Sequence, residues 1–235
     1  MRIVSATTPP PRPLDLVVLG GVHARMSPVA ATTLCAYLAE VHPEVIVFSG
    51  QLVPDSTGTK TTSAQREVLR ALVRLSTAGT RIYHLLDPAA LAAARPVAHR
   101  AGNWYLRTEL VLRFGTRRYW FRPTTTARAA VIGPPWRLLR AWYSRRAERQ
   151  RSPPYQAVIG GPGEQPRLQA GSPAHYHPGD WETHRTCLEV RDGHWQLHTT
   201  TALATPIPAP PWTRRLAERP EVHLLQLLGV GLAGS

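Results

Sequence analysis

The chain has 235 residues, is 43% apolar and carries a formal net charge of +13 from 28 basic and 15 acidic side chains. That length supports one sizeable domain with its own core, and that apolar share excludes a disordered polyelectrolyte. Lys60 is the only lysine, so the excess is almost wholly guanidinium; it favours phospholipid, nucleotide or nucleic acid partners without choosing among them.

Residues 1–13 read as a flexible arm. A Thr/Pro/Arg stretch from Thr7 to Pro13 stands where a targeting sequence would need an apolar run. No window is long enough in apolar sequence to span a bilayer, so a cytoplasmic protein, or one peripheral to the inner membrane, is expected. Leu14–Leu19 is apolar but for Asp15 and reads as a buried strand. Pro28–Glu40 places Val29, Thr33, Leu34, Tyr37 and Leu38 at helical spacing. Val45–Phe48 is a second buried strand. Thr61–Thr77 predicts a helix with Val68, Leu69, Leu72, Val73 and Leu75 on one face and Gly79 as its stop. Arg81–Leu86 is a third strand. This alternation implies parallel strands joined by right-handed crossovers, with ligands bound beyond the strands' carboxyl ends. His23, Gln51 and Asp87 fall at those ends.

The middle of the chain changes character. Trp104–Leu112 and Arg117–Phe121 predict a hairpin turning at Gly115-Thr116. Twelve arginines and only two acids, Glu109 and Glu148, lie between Arg107 and Arg151. Gly133-Pro134-Pro135 introduces a helical stretch, Trp136–Arg149. Short strands follow at Tyr155–Ile159, Ala174–His177, Thr186–Val190 and Trp195–Thr200, the last two joined by a hairpin turn at Asp192-Gly193. Pro206–Pro211 reads as a linker and Trp212–Val230 as a docked helix. Cys35 and Cys187 sit inside periodic segments and build no disulfide framework.

Four blocks, in order, carry a family resemblance: Gly20-Gly21-Val22-His23, Ser49-Gly50-Gln51, Ala157-Val158-Ile159-Gly160-Gly161-Pro162-Gly163 and Tyr176-His177-Pro178-Gly179-Asp180-Trp181. Over roughly residues 14–200 the chain resembles the calcineurin-like metallophosphoesterases. Within them it is most similar to the UDP-2,3-diacylglucosamine hydrolase branch of bacterial lipid A biosynthesis. The resemblance implies an α/β (α+β) four-layer sandwich of two mixed β-sheets flanked by helices, spanning residues 14–205. A helical cap insertion would occupy about residues 122–154, and the proline-rich linker and C-terminal helix residues 206–235. It also implies a two-metal phosphate site built from Asp-x-His, Gly-Asp-x-x-Asp, Gly-Asn-His-Asp/Glu, an isolated histidine and Gly-His-x-His.

Most of those ligands are substituted here. Gly21 stands at the first carboxylate, leaving His23 as the one ligand clearly in place. Gln51 replaces the bridging aspartate, with Asp55 one position late. The third motif falls near Asp87, Arg122-Pro123-Thr124 stands where the isolated histidine belongs, and Gly160-Gly161-Pro162-Gly163 replaces Gly-His-x-His. A single imidazole cannot hold two divalent cations, and Gln51 brings no charge to offset their repulsion. The remnant pocket is therefore His23, Gln51, Asp55, Asp87, Gly160 and Gly161, with no catalytic residue assigned and no cofactor expected. A rebuilt manganese or zinc site would have to draw on His23, Asp55, Asp87, His175 or His177, with Asp180 and His184 near the last two.

The remaining motif is Trp136-Arg137-Leu138-Leu139-Arg140-Ala141-Trp142-Tyr143-Ser144-Arg145-Arg146. On a helix Trp136, Leu139 and Tyr143 share a face, Leu138 and Trp142 lie beside it, and Arg137, Arg140 and Arg145 flank it. Aromatic rings and guanidinium groups suit lipid headgroups, and in the resembled hydrolases this position is a cap over a lipid substrate. The alternative is an ordinary amphipathic helix whose stripe packs on the core. Arginine and aromatics also suit nucleic acid, but no nucleic-acid fold motif accompanies them. Three functions follow. The leading one is an inactive hydrolase homologue that binds an anionic lipid, a nucleotide-diphosphate lipid or a phosphate at the membrane surface. The others are a metal-dependent phosphoesterase or pyrophosphatase with a rebuilt site, and a structural or protein-interaction module. The oligomeric state is not legible.

Overall fold

The computed structural model describes residues 12–23, 26–50, 52, 62–87, 91, 99–123, 155–160 and 165–200, with the backbone alone at Gln65. Two mixed sheets pack face to face. The larger has seven strands in the order β12-β11-β1-β2-β3-β5-β4. Its members are β1 (Arg12–Leu19), β2 (Val41–Ser49), β3 (Arg81–Leu85), β4 (Arg100–Ala101), β5 (Trp104–Arg107), β11 (Thr186–Arg191) and β12 (His194–Thr199). The smaller has five strands in the order β6-β7-β8-β10-β9: β6 (Leu110–Phe114), β7 (Arg117–Arg122), β8 (Ala157–Gly160), β9 (Arg167–Gln169) and β10 (Ala174–His177).

As the alternating pattern predicts, β1, β2 and β3 are parallel neighbours. Helices α1 (Pro28–Glu40) and α2 (Ser63–Thr77) cover the outer face of the seven-stranded sheet and close one core with it, around Leu34, Tyr37, Phe48, Leu72 and Trp104. A second core lies between the sheets, where Leu16, Val18, Val45 and Val47 meet Tyr119, Phe121, Ala157 and Ile159. The doubly buried stretches Leu16–Leu19 of β1 and Val45–Phe48 of β2 thus read as unbroken apolar runs.

Local chemistry sets the ends of the helices. Ser27 caps α1 by accepting from the Ala30 N–H at 3.2 Å, and Pro28 fills the first helical position. At the far end Pro43 holds the chain extended, and β2 starts at Val41 with no intervening loop. Gly79 follows α2 at φ +110°, and its N–H bonds the Ser76 carbonyl.

Several expectations are corrected. Val29 is 55% exposed; Ala30 and Ala31 take the inner side of the first turn. β1 begins at Arg12, so Arg12 and Pro13 belong to the sheet, held by pairing with Val41 and His42. Trp104–Leu112 is two strands in different sheets: β5 runs parallel to β3, and β6 pairs with β7. The hairpin at Gly115-Thr116 joins β6 and β7 as expected. The strands β4 and β9 and the short helix α3 (Trp181–His184) carry no clear sequence signal. The arm before Arg12, the cap from residue 124 to 154 and the tail from residue 201 lie outside the described residues.

Candidate functional site

The starts of the loops that leave β1, β2 and β10 meet at the carboxyl ends of the parallel strands, where the alternating pattern places a ligand. They pack against one another with little space. The Val22 N–H donates to the Ser49 carbonyl at 3.1 Å, and the Trp181 N–H to the Gly20 carbonyl at 2.9 Å. A Cβ on Gly20 would collide with the Gly179 carbonyl oxygen, and one on Gly50 (φ +135°) with the Val22 carbonyl oxygen. The glycines are therefore required by the close approach of backbones.

Gly21 is the most telling of these positions. Its φ is +65°, and a Cβ there would stand 2.6 Å from the Asp180 Oδ1. The Asp180 carboxylate, reaching in from the β10 side, fills the space where a side chain at position 21 would begin. It is held there as the cap of α3, accepting from the Glu182 N–H at 2.8 Å. Glu182 in turn accepts from the Ser27 N–H at 3.0 Å, tying this loop to the start of α1. Asp180 thus orders the loop through backbone hydrogen bonds, as short acidic side chains do in turns.

The other predicted residues lie on separate elements. His23 is half-buried after β1, and Asp87 is exposed after β3. Gly160 ends β8 and lines a narrow cleft between the sheets with Val18, Val47, Leu85 and Phe121, room for about one water. Ser49 and Arg122 are its polar neighbours, and the Arg122 guanidinium lies over the Trp120 ring at 5.0 Å. His175 is exposed, whereas His177 is 2% exposed and its Nδ1 accepts from the Gly179 N–H at 3.1 Å. Among the described residues no three His, Cys, Asp or Glu side chains gather as a metal site. Gln51, Asp55, Gly161 and the stretch containing Trp136, Arg137, Leu139, Arg140, Trp142, Tyr143, Arg145 and Arg146 fall outside the described residues.

Two buried polar groups escape the motif comparison. His84 on β3 is 3% exposed, stacks on Phe48 at 4.2 Å between ring centroids, and meets Trp104 edge-on. Its Nε2 lies 2.7 Å from the Gly50 carbonyl oxygen, so the neutral ring donates there and ties β3 to the turn after β2. Burial pushes its pKa down to about 4, against a smaller upward pull from that hydrogen bond.

Glu189 on β11 is 0% exposed. It accepts two hydrogen bonds from Arg12 (2.8 and 3.0 Å), one from the Tyr37 hydroxyl (2.9 Å) and one from Gln196 (2.8 Å). Burial raises its pKa, but the bonds from Arg12, Tyr37 and Gln196 outweigh that and the net shift is downward. The sequence signal was a lone carboxylate inside the apolar run Cys187-Leu188-Glu189-Val190. Cys187 beside it is fully buried, and burial pushes its thiol up to about 12.

No family model matches the chain, and no curated protein matches it. Solved structures superpose on it at low similarity. An archaeal phosphodiesterase is 8% identical, covering 78% of this chain and 98% of its own, with a TM-score of 0.45. The protein TT1561 of Thermus thermophilus is 11% identical over 79% of this chain and 98% of its own, TM-score 0.44. The sulfate thiohydrolase SoxB of Thermus thermophilus is 12% identical, with 86% of this chain matching 58% of SoxB, TM-score 0.40. Likenesses this distant assign neither a family nor a chemistry. Among the described residues no helix is long and apolar enough to cross a membrane.

Proposed function

We propose that this chain is a metallophosphoesterase-like protein, related to the UDP-2,3-diacylglucosamine hydrolases, that has given up two-metal hydrolysis and binds an anionic phosphate-bearing ligand at a membrane surface. One observation carries the first half: the Asp180 carboxylate fills the space in which a ligand side chain at position 21 would have to grow. The packed glycines at positions 20 and 50 support the same reading. The second half rests on charge. A net +13 carried almost wholly by arginine suits phosphate through paired N–H donors. A lipid headgroup, a nucleotide-diphosphate lipid and inorganic phosphate share that chemistry.

Two measurements test the proposal. Protein reloaded with manganese or zinc and desalted should retain less than about 0.1 equivalent of metal. One or two tightly held equivalents would overturn the loss of hydrolysis and make nucleotide-diphosphate lipids the next substrates to assay. The full chain should also sediment with phosphatidylglycerol vesicles, and glutamate at Arg140, Arg145 and Arg146 should abolish it. Unchanged sedimentation of that variant would remove the arginine-rich stretch from the membrane contact.

A further inference from the structure

The inner face of the seven-stranded sheet extends past the part that the smaller sheet covers. The core between the sheets takes Leu16 and Val18 of β1, Val45 and Val47 of β2, and Leu85 of β3, with Tyr83 packed against it. Among the described residues no side chain of β4 or β5 belongs to it. Trp104 and Leu106 of β5 face the helices, so Tyr105 and Arg107, which alternate with them, stand on the inner face.

There the strands line up a short ladder. Tyr83, Tyr105 and Arg100 are in register across β3, β5 and β4. The Tyr83 and Tyr105 rings stack with centroids 5.0 Å apart, and the Arg100 guanidinium lies over Tyr105 at 5.1 Å. Arg107, two residues along β5 on the same face, brings a second guanidinium to that ring at 5.7 Å. Both arginines are exposed, and among the described residues neither meets a carboxylate, whereas Arg12 and Arg70 each pair with a glutamate. Arg100 donates its Nε–H to the Gly102 carbonyl at 3.1 Å, and Arg107 an Nη1–H to the Leu106 carbonyl at 2.9 Å. A guanidinium carries five N–H donors, so most of theirs are left for a ligand.

Two like charges drawn to one ring repel each other. A phosphate between them turns that repulsion into charge-assisted hydrogen bonds, with forked donors matched to its oxygens. The ladder also selects the part of a ligand that fits. β5 lies between β3 and β4, so Tyr83 flanks the Tyr105 ring on one side and Arg100 on the other. Neither face of that ring is left for a base to stack on, which favours a phosphate group over single-stranded nucleic acid. Arg107 stands at the carboxyl end of β5, where its carbonyl accepts from the Leu86 N–H at 2.8 Å, so the pair flanks the strand ends.

We infer that Arg100 and Arg107 hold the phosphate of the ligand at the β4–β5 edge of the large sheet. The inference rests on the proposed reading of a phosphate-bearing ligand and gives that phosphate two donors outside the arginine-rich stretch at residues 136–146.

Phenylglyoxal labelling of the full chain, read residue by residue by mass spectrometry, tests it. In a titration with inorganic phosphate against matched sodium chloride, labelling of Arg100 and Arg107 should slow together, about fivefold at about four times the midpoint concentration. The exposed Arg167 and Arg191 should change by less than about 1.5-fold under the same conditions. Phosphate should also raise the Tm of the parent by about 2 °C or more, and not that of Arg100→Gln with Arg107→Gln. Arginines that merely stack on Tyr105 would show neither effect. Protection by free phosphate assigns the site to a soluble ligand, and protection by phosphatidic acid vesicles alone assigns it to a lipid headgroup; both carry the inference. Protection by neither, equal slowing at all exposed arginines, or an equal Tm rise in the double variant overturns it. Sedimentation of the parent with phosphatidylglycerol vesicles without protection would remove this inference alone. Protection without sedimentation would remove only the membrane half of the proposed function.

Discussion

Restoring a carboxylate at position 21 is the sharpest test of how the strand-end loops are built. In Gly21→Asp the new residue must hold φ near +65°, which costs a side-chain-bearing residue about 1 kcal/mol. Its Cβ would stand 2.6 Å from the Asp180 Oδ1, so Asp180 has to swing out and release the Glu182 N–H. Losing a cap of this kind costs about 1 kcal/mol. Two carboxylates left in contact near the surface repel by roughly a further 1 kcal/mol. The total, about 2–4 kcal/mol, should lower the melting temperature of a chain this long by about 5–15 °C. Adding Asp180→Ala removes the collision and the repulsion but keeps the backbone strain. The double variant should therefore recover part of the loss, a coupling that urea melts of the four proteins measure. If Gly21→Asp alone stays within about 0.5 kcal/mol of the parent, the position has room for a ligand side chain and the argument from packing is wrong.

Two further outcomes concern the buried polar groups. His84 has a folded pKa near 4, below its usual 6.5, so the unfolded chain binds the proton first. Stability should be complete above pH 6.5 and fall by about 3 kcal/mol on acidification to pH 4, and His84→Phe should flatten that part of the profile. For Glu189 the folded pKa is depressed, so its contribution is present above the ordinary carboxylate range and is lost as pH falls through the lowered value. Glu189→Gln should cost about 1–3 kcal/mol in chemical denaturation. Arg12→Ala should cost less, because the Arg12 side chain is 36% exposed and water replaces part of what it loses.

Legibility in the sequence followed periodicity. Helix α1 and the three parallel strands were readable because burial on one or two faces writes its period into the residues. The switch of Trp104–Leu112 from one sheet to the other was not. Trp104, Leu106, Leu110 and Leu112 keep a period of two throughout while serving two different cores. The candidate site was legible only as a place. The ends of β1, β2 and β3 do converge, but a motif comparison counts ligands that are missing and cannot see what has moved into their space. Asp180 lies 159 positions from Gly21, and nothing local in either segment announces that they touch. Glu189 is the same kind of case: its partners Arg12 and Tyr37 are distant in the chain, and only its polarity within an apolar run marked it.

The placement of β1 has a consequence for how the chain reaches its native state. Leu16–Leu19 is hydrogen-bonded on one side to β2, and on the other to Leu188, Cys187 and their neighbours in β11. During synthesis from the amino end, β1 to β3 can associate early, yet the second edge of β1 waits until about 170 further residues have been made. Over that interval an apolar strand with unpaired backbone groups is open to other chains. Among the described residues the hairpin of β11 and β12 is therefore the closing piece of the large sheet. Its docking has to meet the entropy of closing a long loop, the cost that non-local pairing carries in general. Chains interrupted before Thr186 should collect as aggregates, whereas chains extending past Thr200 have the strand that shields β1.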